Sequence, residues 1–103
     1  MRLRWADEAQ RDLKSIRAYI ARDNPVAARG WVKKLRERAR KAARSPLAGR
    51  VVPEADREDI REVFVRSYRI VYQVGEKTVE VLTVLEGHKL LSEEIIEGAP
   101  KGS

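Results

Sequence analysis

The chain contains no cysteine and a single histidine, His88, among its 103 residues. The absence of cysteine excludes disulfide bonds and thiolate metal sites, and one histidine does not make a zinc site by itself. We therefore expect no metal and no cofactor. Aromatic residues make up only 6% of the chain, and no apolar run approaches the roughly 18 to 20 residues of a membrane span.

The N-terminus also lacks the apolar region of a signal peptide, because charged residues interrupt it at once. A cytoplasmic location without a membrane partner is therefore expected, and the absence of disulfides suits that reducing compartment. The interrupting residues are Arg2, Arg4, Asp7 and Glu8.

Positive charge is concentrated in one segment of the chain. The net charge is +6, whereas residues 25–45 hold eight basic residues and one acid, Glu37, and so sum to +7. A local basic stripe indicates an anionic partner more strongly than an evenly basic surface, although an ordinary solvated helix face also looks like this. The basic residues of the stripe are Arg29, Lys33, Lys34, Arg36, Arg38, Arg40, Lys41 and Arg44.

Two helices are predicted in the first half of the chain, after a short strand over residues 1–5. Asp7 is expected to cap the first helix, with Gln10 three positions later as in a capping box. Asn24-Pro25 ends this helix and begins the second, which extends to about Arg44. So short a connection predicts an antiparallel helical hairpin. The apolar stripes expected to pack it are Leu13, Ile16 and Ile20 on one helix and Val32, Leu35 and Ala39 on the other.

Alternating apolar residues predict three strands in the second half of the chain. Turns are expected at Arg66-Ser67 and at Gly75, where a positive φ would be inexpensive for glycine. Ser92 is expected to cap a short helix that ends at Gly98. The predicted strands cover residues 59–65, 68–74 and 78–85.

The predicted fold class is α+β. It comprises an N-terminal strand, an antiparallel helical hairpin packed on one face of a mainly antiparallel four-stranded sheet, and a short C-terminal helix. Residues 1–98 are expected to form one domain and residues 99–103 a disordered tail. The face of the sheet that the hairpin does not cover is expected to be free for a partner.

The predicted elements carry a series of short motifs: Tyr19-Ile20, Asn24-Pro25-Val26-Ala27-Ala28, Ser45-Pro46, Gly49-Arg50, Ile60-Arg61-Glu62-Val63, Tyr68-Arg69-Ile70-Val71-Tyr72 and Gly87-His88-Lys89. In this order, from Leu3 to about Ile96, the sequence resembles the RelE/ParE superfamily of toxins from bacterial type II toxin–antitoxin pairs. The resemblance implies a small cytoplasmic toxin that a cognate antitoxin holds inactive. The antitoxin is expected to offer a disordered segment with apolar anchors and acidic residues.

The superfamily divides by mechanism: RelE-like members cut messenger RNA on the ribosome, and ParE-like members poison DNA gyrase. Metal-free RNA cleavage needs a base, an acid and cations that stabilise the phosphorane. The resemblance places Arg61, Arg69 and Lys89 at basic positions of the RelE-like site, and the imidazole of His88 is a candidate for the acid or the base. These four residues are the candidates for catalysis in a nuclease and for target binding in a gyrase toxin.

Two departures from the nuclease pattern favour the ParE-like branch. Residues 90–96 contain no tyrosine, and Val63 and Val65 occupy the strand where a second lysine is expected. A non-enzymatic gyrase inhibitor with no catalytic residue is therefore preferred. Two alternatives stay open, a ribosome-dependent endoribonuclease acting on mRNA and a non-enzymatic nucleic-acid-binding module that uses the second helix.

Each candidate residue also has a purely structural interpretation. Arg69 would pair with Glu62 or Glu80 across the sheet, and His88 would be a surface residue at a strand end. The tyrosines of the middle strand would be core residues whose hydroxyl groups reach water.

Overall fold

The structure, a computed structural model, describes residues 1–100. None of the helices in this part of the chain has the length and apolar composition needed to cross a membrane. The elements are β1 Arg2–Trp5, α1 Asp7–Ala21, α2 Pro25–Arg44, a 3-10 turn Pro46–Ala48, β2 Arg50–Val51, β3 Ile60–Val65, β4 Tyr68–Val74, β5 Thr78–Glu86 and α3 Glu93–Gly98. Within residues 1–100, the five strands form one sheet in the order β1-β5-β4-β3-β2, in which only the β1–β5 pair is parallel.

The predicted α+β class and element order are confirmed, with five strands in the sheet where four were predicted. The additional strand is β2, whose two residues pair with β3 through Arg50 opposite Glu62 and Val51 opposite Arg61. Two residues are too few to produce an alternating pattern, so the sequence carries no periodic signal for this strand.

Side chains cap two of the three α-helices within residues 1–100, and the cap at Ser92 confirms the prediction. Asn24 Oδ1 accepts a hydrogen bond from the backbone N–H of Ala27 at 3.0 Å, and Ser92 Oγ accepts one from Ile95 at 3.3 Å. The predicted cap of α1 is wrong, because Ala6 is the N-cap and makes no side-chain cap bond. Gln10 instead donates to the carbonyl of Trp5 at 3.2 Å. Asp7 begins the helix itself, where its negative charge complements the helix dipole.

The helical hairpin packs on one face of the sheet and forms the larger core. Leu35 on α2 and Ile70 on β4 are fully buried there, and Trp5 and Trp31 pack against the same cluster while partly buried. Tyr72 is also buried, but its hydroxyl donates to the carbonyl of Pro46 at 2.6 Å. The expectation that this hydroxyl reaches water is therefore wrong.

The second face of the sheet is not free, contrary to the prediction. A smaller core covers it, built from the connection between β2 and β3, the strands and the C-terminal segment. Strand β4 is buried on both faces, so the alternation of its residues does not mark a face that is open to solvent. The buried residues of this core are Val52, Ile60, Val71, Leu82, Leu91 and Ala99.

Arg57 binds the C-terminal segment and holds it against this second core. Its guanidinium pairs with Asp59 at 2.8 Å and donates to the carbonyls of Ala99 and Pro100 at 3.2 and 2.7 Å. Ala99 is only 4% exposed. Ala99 and Pro100 therefore pack with the domain, although the sequence placed them in a tail, and residues 101–103 of that predicted tail lie outside the described residues.

The tight turn at Arg66-Ser67 is confirmed, and it is Arg66 that takes a left-handed conformation, with φ of 51°. The turn at Gly75 is closed by a 2.8 Å hydrogen bond from its N–H to the carbonyl of Thr78. No glycine within residues 1–100 has a positive φ, so the expectation of one at Gly75 is wrong.

We predict that Leu35→Ala lowers the free energy of unfolding by about 2–5 kcal/mol, because the side chain is fully buried between the hairpin and the sheet. Urea denaturation followed by circular dichroism measures the change. Val26→Ala on the same helix is the control, since Val26 is 79% exposed and its loss should cost less than about 0.5 kcal/mol. Equal effects at the two positions would contradict the assigned packing of α2.

Candidate functional site

The structure brings together three of the four predicted site residues. His88 and Lys89 follow β5 directly, and the Nη1 atom of Arg69 donates to the carbonyl of Lys89 at 3.1 Å. Arg61 is elsewhere: it lies opposite Tyr72, on the hairpin side of the sheet, whereas Arg69 lies on the other side. The four residues therefore do not form one constellation.

Arg69 is buried and fully engaged by protein oxygens. Its Nη1 and Nη2 atoms bind the two carboxylate oxygens of Glu54 at 2.8 and 3.0 Å, and its Nε donates to Glu62 at 2.7 Å. Its side chain is only 5% exposed. Each of the three guanidinium nitrogens thus has a protein partner. The predicted structural pairing with Glu62 is confirmed, and Glu80 instead lies opposite Gln73.

The network around Arg69 extends in both directions. The side chain of Arg50 is largely exposed, but it pairs with the fully buried carboxylate of Glu62. The Nε atom of Arg50 lies 2.8 Å from Oε2 of Glu62. Glu54 also accepts the backbone N–H of Leu91 at 2.9 Å. Two arginines and two glutamates are therefore matched in charge, and no buried side-chain nitrogen or oxygen in residues 1–100 lacks a partner. This is the condition under which buried charges are tolerated.

The pairing shifts the pKa values of the groups involved. The hydrogen bonds from Arg69 hold the pKa of Glu54 at about 2, well below its ordinary 4.5, against the opposing effect of burial. The same hydrogen bonds, which Glu54 accepts, raise the pKa of Arg69. Both groups are therefore charged at neutral pH, and Arg69 is a structural cation with its charge already balanced.

Arg61 holds a loop in place. Its Nη1 atom donates to the carbonyls of Leu47 and Gly49 at 3.1 and 3.0 Å, and its Nε donates to the carbonyl of Glu58 at 2.9 Å. These bonds fix the connection between α2 and β2. Gly49 is required there, because a Cβ atom would lie 2.0 Å from the hydroxyl oxygen of Tyr72.

His88 and Lys89 are the accessible members of the predicted set. The His88 side chain is 75% exposed, and its Nδ1 atom lies 3.5 Å from a carboxylate oxygen of Glu86. Lys89 is also exposed. No group of three or more histidine, cysteine or acidic residues in the described part of the chain is arranged to hold a metal ion.

A groove of about 500 Å³ lies between α1 and the segment that follows β5. Tyr19 and Leu90, which are 66% and 83% exposed, are large apolar residues at this groove. Asp12 reaches across its floor and accepts hydrogen bonds from Thr83 Oγ1 at 2.5 Å and from the backbone N–H of Val84 at 2.9 Å. The groove is thus a preformed apolar surface with charged residues at its margin. Its other lining residues include Glu8, Ile16, Glu86, Lys89 and Ile95.

Sequence reasoning missed Glu54 and the groove. Glu54 lies in a polar connection without periodicity, 15 residues from its partner Arg69. A signal was available, because an arginine at the centre of a buried strand requires carboxylate partners. The groove has no local signal, since its walls come from α1, β5 and the segment after β5.

The chain belongs to a known toxin family. The model of the family described as "ParE toxin of type II toxin-antitoxin system, parDE" matches residues 3–91. A chain of the "Chromosomal ParDE TA system from P. aeruginosa" has the same fold, with a TM-score of 0.70, 20% sequence identity, and coverage of 84% of this chain and 95% of that one. No curated protein matches the sequence. The predicted resemblance and its ParE-like assignment are confirmed, and the protein is a type II toxin.

We predict that Glu54→Gln reduces the acid sensitivity of the fold. A carboxylate whose pKa falls from 4.5 to about 2 on folding stabilises the protein above pH 4.5 by on the order of 3 kcal/mol, and this contribution is lost as the pH falls from 4.5 towards 2. The variant should be less stable than the wild type at pH 7, and the difference should shrink by pH 3. Glu76→Gln, in an exposed turn, should keep the wild-type profile in urea unfolding at each pH. Parallel profiles for Glu54→Gln and the wild type would contradict this account.

Proposed function

We propose that this toxin inhibits DNA gyrase by binding to it, and that a cognate antitoxin neutralises the toxin by occupying the groove beside α1. Gyrase is the target that the ParE-like resemblance implies. The proposed toxin acts through surface contacts and performs no acid–base chemistry of its own.

The observation that carries this proposal is the state of Arg69. A metal-free ribonuclease needs unpaired cations to stabilise charge that develops on the phosphate. The guanidinium of Arg69 is buried and balanced by Glu54 and Glu62. Arg61 lies across the sheet and binds backbone carbonyls. Of the candidate nuclease residues, His88 and Lys89 alone are exposed, which supports an action by binding.

We assign target contact to the loop of residues 87–90. His88, Lys89 and the 83%-exposed Leu90 combine positive charge with an apolar side chain, a composition suited to a protein surface. Arg69 positions this loop through the carbonyl of Lys89, and Arg61 positions the connection to β2. In this proposal the two arginines contribute to target binding by holding backbone in place.

We assign antitoxin binding to the groove beside α1. Its apolar residues suit the hydrophobic side of an amphipathic segment. Glu8 and Glu86 lie at the margin, so a segment that binds here should carry basic residues next to its apolar anchors. The acidic antitoxin residues expected from the sequence would instead meet Lys89, the basic residue in the lining of the groove.

Two assays performed side by side test the target. Purified toxin is added to a gyrase supercoiling reaction, and, separately, to a translation reaction whose mRNA is mapped by primer extension. We expect inhibition of supercoiling without new mRNA ends, and addition of the antitoxin should restore supercoiling. Ribosome-dependent mRNA cleavage without gyrase inhibition would overturn the proposal.

The variant His88→Ala separates binding from catalysis. If no acid–base chemistry occurs, gyrase inhibition should fall by no more than a few-fold, whereas a general acid or base typically contributes about 10²- to 10⁴-fold. The concentration of toxin that halves supercoiling gives the comparison. A loss of 100-fold or more, with antitoxin binding intact, would indicate a catalytic histidine and contradict the proposal.

Tyr19→Asp tests the groove as the antitoxin site. Tyr19 is 66% exposed, so the change should leave the fold intact while placing a charge on an apolar wall that already has acidic neighbours. We expect antitoxin affinity to fall at least about tenfold by calorimetry. Leu47→Asp, at a residue that is 68% exposed and outside the groove, is the matched control. Unchanged affinity for Tyr19→Asp would place the antitoxin elsewhere.

A further inference from the structure

The basic stripe of α2 forms a continuous cationic surface. The helix turns its alanines and Leu35 towards the sheet, and at 100° per residue its eight basic side chains occupy the remaining arc. Seven of the eight are exposed and Arg38 is half-buried. From Arg29 to Arg44 the surface extends over about 22 Å at 1.5 Å per residue.

Glu37 is the one acidic residue of α2, so the protein itself leaves this surface with a net charge of +7. None of the eight basic side chains takes part in an ion pair within residues 1–100. Like charges four residues apart repel on a helix and lower its stability by a few tenths of a kcal/mol each. Such an arrangement is favourable when an anionic partner supplies the missing charge. The like-charge pairs at this spacing are Arg29 and Lys33, Lys34 and Arg38, Arg36 and Arg40, and Arg40 and Arg44.

The surface is separate from the surfaces already assigned. The groove beside α1 contains no residue of α2 in its lining, and the loop of residues 87–90 follows β5. One flank of α2 borders a shallow depression of about 460 Å³, where four basic residues and one acid, Glu37, lie beside Phe64 and Val65. The four basic residues are Lys34, Arg38, Lys41 and Arg44. Charge is therefore concentrated on a third side of the molecule.

We propose that the α2 surface binds the sugar–phosphate backbone of double-stranded DNA without regard to sequence. Lysine and arginine are the side chains that contact phosphate, and a span of about 22 Å corresponds to roughly six base pairs at 3.4 Å each. α2 contains no asparagine, glutamine, serine or threonine. Side chains of these four types read the edges of bases, as arginine and lysine also do. Because the arginines and lysines of α2 are spread around the helix, recognition of a particular sequence is not expected.

The geometry favours duplex over single-stranded nucleic acid. Proteins that bind single strands offer aromatic faces on which bases stack. Trp31 is half-buried and packs edge-on against Tyr68, with ring centroids 5.6 Å apart. The Phe64 ring lies under the guanidinium of Arg50, at 5.6 Å. Neither ring offers an open face on which a base can stack, so nucleic-acid binding by this surface depends mainly on its charge.

The test measures the binding of full-length toxin to a fluorescent 20-base-pair duplex, by anisotropy, from 50 to 300 mM salt. For B-DNA the slope of log K against log salt is about −0.9 for each phosphate neutralised, so four or five contacts predict a slope near −4. Duplexes of unrelated sequence should bind equally within about twofold. No binding at 50 mM salt would overturn the proposal, and so would tighter binding to a single strand of the same length.

Two triple variants of equal charge separate a local surface from net charge. Lys33→Ala/Arg36→Ala/Arg40→Ala removes three exposed cations of α2, and Arg2→Ala/Arg4→Ala/Lys77→Ala removes three exposed cations outside α2. We expect the first to weaken duplex binding by about tenfold or more and to flatten the salt slope by about 2.7. The second should change the slope by less than about 1. Equal losses in the two would show that net charge alone is responsible and would overturn the proposal.

Measuring antitoxin binding to the same variants shows whether the α2 surface binds DNA or the antitoxin. The α2 triple variant should bind antitoxin with wild-type affinity, because the proposed antitoxin groove contains no α2 residue. A loss of antitoxin affinity as large as the loss of DNA affinity would show that the surface belongs to the antitoxin, and would overturn the inference. DNA binding by the α2 surface does not depend on gyrase, since it is measured without gyrase, and gyrase inhibition is a separate assay.

Discussion

The buried ion network centred on Arg69 connects parts of the chain that are distant in sequence. Through Glu54 it holds the connection between β2 and β3, through Glu62 it holds β3, and through the carbonyl of Lys89 it holds the segment after β5. Removing one member would leave a buried charge without its partner, which costs several kcal/mol. The second core, and the loop that it supports, depend on this network remaining complete.

The same network determines the chemistry that is open to Arg69. An arginine on the middle strand is a cation for a substrate only while its guanidinium is open. Here two carboxylates occupy the guanidinium. Exposed positive charge is found instead on the loop of residues 87–90 and on the outer side of α2.

Much of the fold was predictable from the sequence, because the helices and the three long strands have strong periodic patterns and two of the three helices have side-chain caps. The two-residue β2 has no such pattern, and the cap of α1 is formed by backbone geometry at Ala6. The four candidate site residues were chosen by resemblance, which gives residue type and not surroundings. The placement of Arg61 and Arg69 on opposite faces follows from strand alternation and could have been predicted. The pairing of Arg69 with Glu54 depends on how a loop folds back over the sheet.

One edge of the sheet is incomplete, since β1 accompanies β5 only as far as Val81. Beyond that point the carboxylate of Asp12 takes the N–H of Val84, a position that an added strand would otherwise use. Copies of a protein can pair with one another through open sheet edges, and a side chain that occupies a backbone donor at the edge opposes this pairing. The bond from Val84 to Asp12 therefore removes one backbone donor from this edge and makes the addition of a strand there less favourable.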